Sequence, residues 1–430
     1  MSASSGRSVD LPISGLSPAW RQRGGSDGNR VSSNSRGRLL IRTLQNVGKM
    51  SAVKGVGYSR RERCNGKLAR MAREPAGPAH RSPMRRHLLE GAGALVLGAA
   101  VSPSVAGTAP KGPAAPAAAR TGWFDDARFA IPAFEASHPE QPGRVRAIQD
   151  RVRADAALWA RLQRLQPLQG AAVDAALARV HTGEHIRGIA VRHGAAIDTL
   201  ARTAVGCALA AVQAVGRAGL ANAFVASRPP GHHARNSGRE EGFCFYNNVA
   251  IAARHVQRVL GFERVLIVDW DYHHGNGTEH LFYEDGSVFY FSTFDADAYP
   301  RSGTAARTGA GAGRGTTLNH PLPAGASDDD VLTVYERSLL PAATRFDPDF
   351  VLVSAGFDSR EGDTLGRFSI SDEGYRRMTR VVASIAARHC GGRLVSLLEG
   401  GYNLSGLASA AHAHVWALSE AALALPKPRR

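Results

Sequence analysis

Five apolar runs, each breaking into small or polar residues, limit most what this chain can become. They are AFVAS at 223–227, RVLIVDW at 264–270, VFYFSTF at 288–294, FVLVSAGF at 350–357 and RLVSLLEGG at 393–401. Ala-rich amphipathic stretches such as TLARTAVGCALAAVQAVGRAG separate them. Strands that are apolar throughout, rather than at alternate positions, are buried on both faces. Alternation of such strands with helices predicts an α/β fold, with a central, mainly parallel sheet between two helical layers. In such sheets the loops past the carboxyl ends of the strands build the site, so polar motifs placed there can converge.

Composition bounds the partners. At 430 residues and 43% hydrophobic content, the chain has ample material for a large core. The formal charge of +16 points to nucleic acid, but its distribution removes that reading: residues 1–86 carry 18 Lys and Arg against 4 Asp and Glu. The remainder has 35 against 33, so the body is nearly neutral and no specific nucleic-acid partner is expected. The four cysteines, Cys64, Cys207, Cys244 and Cys390, form no CxxC pair and read as free, mostly buried thiols.

The basic leader divides into pieces. Residues 1–83 are rich in Ser, Arg and Gly without sustained periodicity, and read as disordered or as upstream sequence translated from too early a start codon. From Met84-Arg85-Arg86, a weakly apolar stretch leads to a small-residue site near Ser104-Val105-Ala106, the pattern of a twin-arginine export signal over 84–107. That stretch is too short and interrupted for a stable membrane anchor. A periplasmic or otherwise exported protein is therefore expected, with a cytoplasmic one as the alternative. A Pro/Ala linker follows at 108–122, then a folded domain at 123–422 and a basic tail at 423–430.

The chemistry lies at the strand ends. In DWDYHHGNGT (269–278), strand-like alternation puts Asp269, Asp271 and His273 on one face. Buried together, the carboxylates repel unless a cation or a charged partner holds them. With Asp358, at the end of another apolar run, Asp271 and His273 complete three donors plus an open position for water, the composition of a catalytic zinc site. The oxygen-rich set also suits iron(II) or cobalt(II). RPPGHHA (228–234) presents the adjacent His232 and His233 in a Pro/Gly-stiffened loop, imidazoles suited to moving protons near neutral pH. In LEGGYN (398–403), glycines let the backbone turn, and the Tyr402 phenol can donate a hydrogen bond to a carbonyl oxygen beside the metal.

These motifs, together with HPE (138–140), GFCFYNN (242–248) and SAGFDSREGD (354–363), stand in the order found in the histone deacetylase and acetylpolyamine amidohydrolase superfamily. The chain most resembles its class II branch, which includes bacterial deacetylase-like amidohydrolases. The resemblance implies an arginase/deacetylase-like fold and zinc-dependent removal of acetyl or related acyl groups from amines such as acetyl-lysine or acetylpolyamines. It makes Asp271, His273 and Asp358 metal ligands, His233 the general base and acid, His232 its companion held by Asp269, and Tyr402 the residue that polarises the scissile carbonyl. Phe243, Tyr299 and Leu365 would line the substrate tunnel, with Asn276 and His274 supporting the site from behind. A potassium ion is implied near Asp269, Asp271, His273, Ser292 and Thr293. Asn276 replaces the aspartate that class I enzymes offer to the second histidine. Leu365 stands where polyamine-selective relatives can carry an acidic residue, which tilts the substrate away from a strict polyamine specialist.

Two further readings use the same residues: a metal-loaded protein that binds acylated amines without turnover, and an arginase-like hydrolase with two metals. The second needs additional carboxylate and histidine ligands, and the RPPGHH and GGYN motifs argue against it.

Overall fold

The computed structural model describes residues 121–425 apart from 125, 218 and 239. The leader, the export signal and nearly all of the linker therefore lie outside the described residues, as do 426–430. Within the described part, folded structure begins two residues before the expected boundary and ends two beyond it. The first strand starts at Thr121, and the last helix, Leu404–Ala424, runs past 422.

Among the described residues, eight parallel strands form one sheet: β1 (Thr121–Phe124), β2 (Leu162–Leu165), β3 (Asn222–Val225), β4 (Val265–Asp269), β5 (Val288–Asp295), β6 (Thr317–Leu322), β7 (Phe350–Ala355) and β8 (Leu394–Leu398). Their order is β2-β1-β3-β8-β7-β4-β5-β6. The five apolar runs correspond to β3, β4, β5, β7 and β8, and every residue of these strands is buried, as strands covered on both faces must be. β1, β2 and β6 have no counterpart among the expected strands. β2 reads LQRL and is half exposed, while β6 carries Pro321 and lies at the edge, where a missing N–H is tolerated.

The helix Gly183–Arg217 contains residues 199–217 of the Ala-rich stretch and is long and apolar enough to cross a membrane. Leu200, Ala204, Cys207, Ala208 and Val212 bury it in the core instead. Cys207, Cys244 and Cys390 are free and buried. Neighbouring strands are in register at their carboxyl ends: Asp269 stands opposite Ser354 on β7 and Ser292 on β5, and Ser354 stands opposite Leu397 on β8. Residues just past 269, 355 and 398 are thereby delivered to one end of the sheet.

Behind that end sits His414, buried against Phe224, Trp270 and Phe357. Thr379 Oγ1 donates to Tyr375 O at 2.6 Å, so His414 Nδ1–H donates to Thr379 Oγ1 (2.7 Å), leaving Nε2 unpartnered. Burial alone lowers its pKa to about 3, so the imidazole is neutral in the folded protein. An unfolded chain takes up that proton below about pH 6.5. The contribution to stability is therefore complete above pH 6.5 and lost progressively as pH falls toward 3, at up to about 1.4 kcal/mol per pH unit. Denaturant melts of His414→Gln between pH 6.5 and 4 should show a slope shallower than wild type by up to about one proton; equal slopes would refute this account.

Candidate active site

Where β4 ends, the chain turns through Asp271, Tyr272 and His273, with Trp270 and Tyr272 buried. The expected shared face of 269, 271 and 273 needs correction, because the strand stops at Asp269 and strand alternation stops with it. Asp269 belongs to a different group of contacts from the other two. Its Oδ2 accepts from Tyr290 OH (3.0 Å) and pairs with His232 Nδ1 (3.1 Å), and its Oδ1 accepts from Asp271 N–H (3.2 Å). Asp271 and His273 instead meet Asp358 from the loop after β7.

His273 Nδ1 lies 3.1 Å from both Asp271 Oδ1 and Asp358 Oδ2, and one donor atom from each of the three residues falls within 4.8 Å of the others. Both carboxylates are wholly buried. Burial, then the charge on Asp271, pushes the Asp358 carboxyl up to about 6. Burial also opposes ionisation of Asp271, but His232 and His273 outweigh it and hold that carboxyl well below the usual range. Two dehydrated carboxylates and one imidazole sharing a point form a donor set that a divalent cation fits.

The backbone leaves room for this cluster. A Cβ on Gly400 would sit 2.0 Å from Asp358 Oδ2 and 2.6 Å from Asp271 Oδ2, while Gly400 N–H donates to Asp271 Oδ2 at 2.7 Å. A Cβ on Gly356 would come 2.1 Å from Asp271 Oδ2. Both positions are closed to any side chain.

The tandem histidines lie beside the cluster. His233 Nδ1–H donates to Asn276 Oδ1 (2.7 Å), and Asn276 Nδ2 donates to Glu241 Oε2 (2.8 Å), which fixes the amide orientation and leaves His233 Nε2 free. Burial, then the charges on His232 and His273, drives the His233 pKa well below its ordinary value. For His232 burial acts in the same direction, but Asp271 and Asp269 outweigh it and raise its pKa. Asn276 thus supports His233 as expected. His274 does not back the metal donors: it bonds Ser302 Oγ (2.9 Å) and pairs with the buried Glu279 (3.2 Å), holding the loop that carries Tyr299.

A cleft of about 470 Å³ opens onto this group. His233, His273 and Tyr402 are at its base, Gly242, Phe243, Tyr272 and Ala298 line its walls, and Tyr299, Leu365 and Arg367 reach solvent. Phe243 is held at φ +65, a costly conformation for a bulky residue. Gly242 at φ +54 precedes it, and a Cβ there would strike the His233 ring at 2.0 Å. All three expected tunnel residues line the cleft, and the Tyr299 ring lies edge-on to His233 at 5.1 Å. Ser292 and Thr293 sit on β5 beside Asp269. Asp269, Ser292 and Thr293 are all buried there.

Several supports went unassigned in the sequence reading although their motifs were visible. Glu140 of HPE makes a two-pronged pair with Arg228 (2.8 and 2.7 Å), all of it buried, and also pairs with Arg144. Arg144 donates to Gly401 O (2.7 Å) and Glu399 O, and lies 4.9 Å over the Tyr402 ring. Glu399 accepts from Gly231 N–H (2.6 Å), His232 N–H (3.2 Å) and Ser354 Oγ (3.0 Å), clamping the histidine loop. His232, Cys244 and Glu399 also approach one another. Both Glu399 oxygens and Cys244 Sγ already serve hydrogen bonds, Cys244 Sγ donating to Gly242 O, and His232 Nδ1 is committed to Asp269.

The sequence model of the histone deacetylase domain matches residues 138–418. The chain belongs to the histone deacetylase family. Among similar proteins, this family member is 36% identical over 283 residues to a probable deacetylase of Archaeoglobus fulgidus, covering 63% of this chain and 78% of that one. It is 47% identical over 186 residues to histone deacetylase 14, chloroplastic, of Arabidopsis thaliana, covering 43% of this chain and 44% of the relative, so the chain spans less than half of that protein's length. The crystal structure of the HDA15 HD domain superposes with a TM-score of 0.66 at 33% identity, covering 70% of this chain and 90% of that one.

Because Gly400 borders both carboxylates, Gly400→Ala should weaken zinc binding by tenfold or more in calorimetric titration, as losses in a metal's outer support commonly do. Unchanged affinity would show that the carboxylates are not confined as described.

Proposed function

We propose that this protein is a metal-dependent deacetylase, hydrolysing the amide of an acylated primary amine such as acetyl-lysine or an acetylpolyamine. One observation carries the reading: Asp271 and Asp358 meet His273, and His273 lines an apolar-walled cleft together with His233 and Tyr402. A divalent cation on these three residues, zinc first with iron(II) or cobalt(II) as alternatives, would lower the pKa of a water and polarise the acyl oxygen.

The chain's own groups divide the remaining work. His233, neutral and with Nδ1 committed to Asn276, offers Nε2 to take a proton from the attacking water. The same nitrogen then returns a proton to the departing amine. His232, held by Asp269 and by its backbone bond to Glu399, sets the position of its neighbour. Burial pushes the Tyr402 phenol well above its ordinary pKa, so it keeps the proton needed to donate to the oxyanion as the carbonyl carbon becomes tetrahedral. Arg144, stacked over that ring and bonded to Gly401 O, fixes where the hydroxyl points.

The complete acid-base set favours turnover over silent binding. Tyr402→Phe should retain zinc while lowering kcat on an acetyl-lysine amide by about 100-fold or more, the scale of losing one oxyanion donor. An unchanged rate would remove the tyrosine from the mechanism. No hydrolysis by the zinc-loaded wild type across acetyl-lysine amides and acetylpolyamines would favour the binding-protein reading.

A further inference from the structure

The cleft's rim carries one cation that the deacetylase reading does not use. Arg367 is 63% exposed at its side chain and lies with Tyr299 and Leu365 on the solvent side of the cleft. Its backbone is fixed. Gly366 packs so closely on Asp358 O that a Cβ would meet it at 1.7 Å, Asp363 accepts from the Leu365 and Gly366 amides (2.9 and 3.3 Å), and Arg367 O accepts from Gly325 N–H (2.8 Å).

The side chain is anchored from one edge only. Nε–H donates to Tyr272 OH (3.3 Å), and Nη2 stands 3.6 Å from Asp295 Oδ2. Asp295 is wholly buried and bonded by Tyr272 OH at 2.5 Å, so its charge lies behind the wall while the guanidinium stays in front. A guanidinium has five N–H donors in a planar fork, and here Nε–H alone makes a hydrogen bond to a described residue.

We infer that Arg367 selects acylated amines whose far end is a carboxylate, such as a free ω-N-acyl amino acid or a peptide ending in acyl-lysine. The inference rests on the deacetylase reading for its orientation: the acyl group goes to the His273 and Tyr402 end, so the far end of the amine emerges at the rim. There the fork can meet a carboxylate through two parallel hydrogen bonds, whereas the ammonium of an acetylpolyamine would meet like charge. At an exposed site such a pair changes affinity by about fivefold.

Calorimetry on the zinc-loaded full chain tests this, using Nε-acetyl-lysine blocked at its α-amine, as the free α-carboxylate and as the α-carboxamide. Wild type should bind the carboxylate about fivefold more tightly. The ratio should fall close to one in Arg367→Gln and be partly kept in Arg367→Lys. Equal affinities in wild type, a ratio unmoved by Arg367→Gln, or no detectable binding of either form would overturn the inference. Hydrolysis is scored separately: if the carboxamide is cleaved with no preference for the carboxylate, the deacetylase reading stands and the role of Arg367 falls. If the carboxylate preference depends on Arg367 but neither form is cleaved, the reverse holds.

Discussion

Two dehydrated carboxylates, Asp271 and Asp358, held against one imidazole, are the constraint around which the rest is arranged. Left to themselves they repel, and the neighbouring imidazoles compensate only one of them: His232 and His273 hold Asp271 ionised, while Asp358 is pushed up to about 6. A buried charge cluster of this kind is weak evidence for stability, since desolvation of each ion costs several kcal/mol. It is stronger evidence for a bound cation. The glycines at 356 and 400 and the amide donated by Gly400 make sense as a frame for these oxygens.

The sheet supplies the precision. Asp269 and Ser354 are paired across β4 and β7, and Ser354 and Leu397 across β7 and β8, so the three loops leave the sheet at matched heights. Buried ion pairs then tie the loops together over long sequence separations. Glu140 joins Arg144 and Arg228, Arg144 holds the turn before Tyr402, and Glu399 holds the turn before His233. Each histidine therefore has one ring nitrogen committed to a fixed partner, as a general base requires if its tautomer is to be defined.

Much of this could be read from the residues. Five of the six interior strands were visible because burial on both faces forces uniform apolarity, and the cluster of Asp271, His273 and Asp358 because carboxylates and an imidazole at the ends of such strands are costly to bury without a partner. β2 and β6 were hidden by exposure and by a proline, and β1 by its four-residue length after a Pro/Ala stretch. Which groups His274 meets was not legible, because Ser302 and Glu279 decide that from distant positions. Arg367 was equally illegible, since its direction depends on Tyr272 and Asp295, far away in sequence.

The most direct test of the central claim is the zinc content of the purified protein together with its acetyl-amide hydrolysis before and after chelation. The account predicts close to one zinc per chain at saturation, loss of hydrolysis with its removal, and recovery on adding it back. Saturation at two ions per chain, or hydrolysis that persists in the metal-free protein, would contradict it.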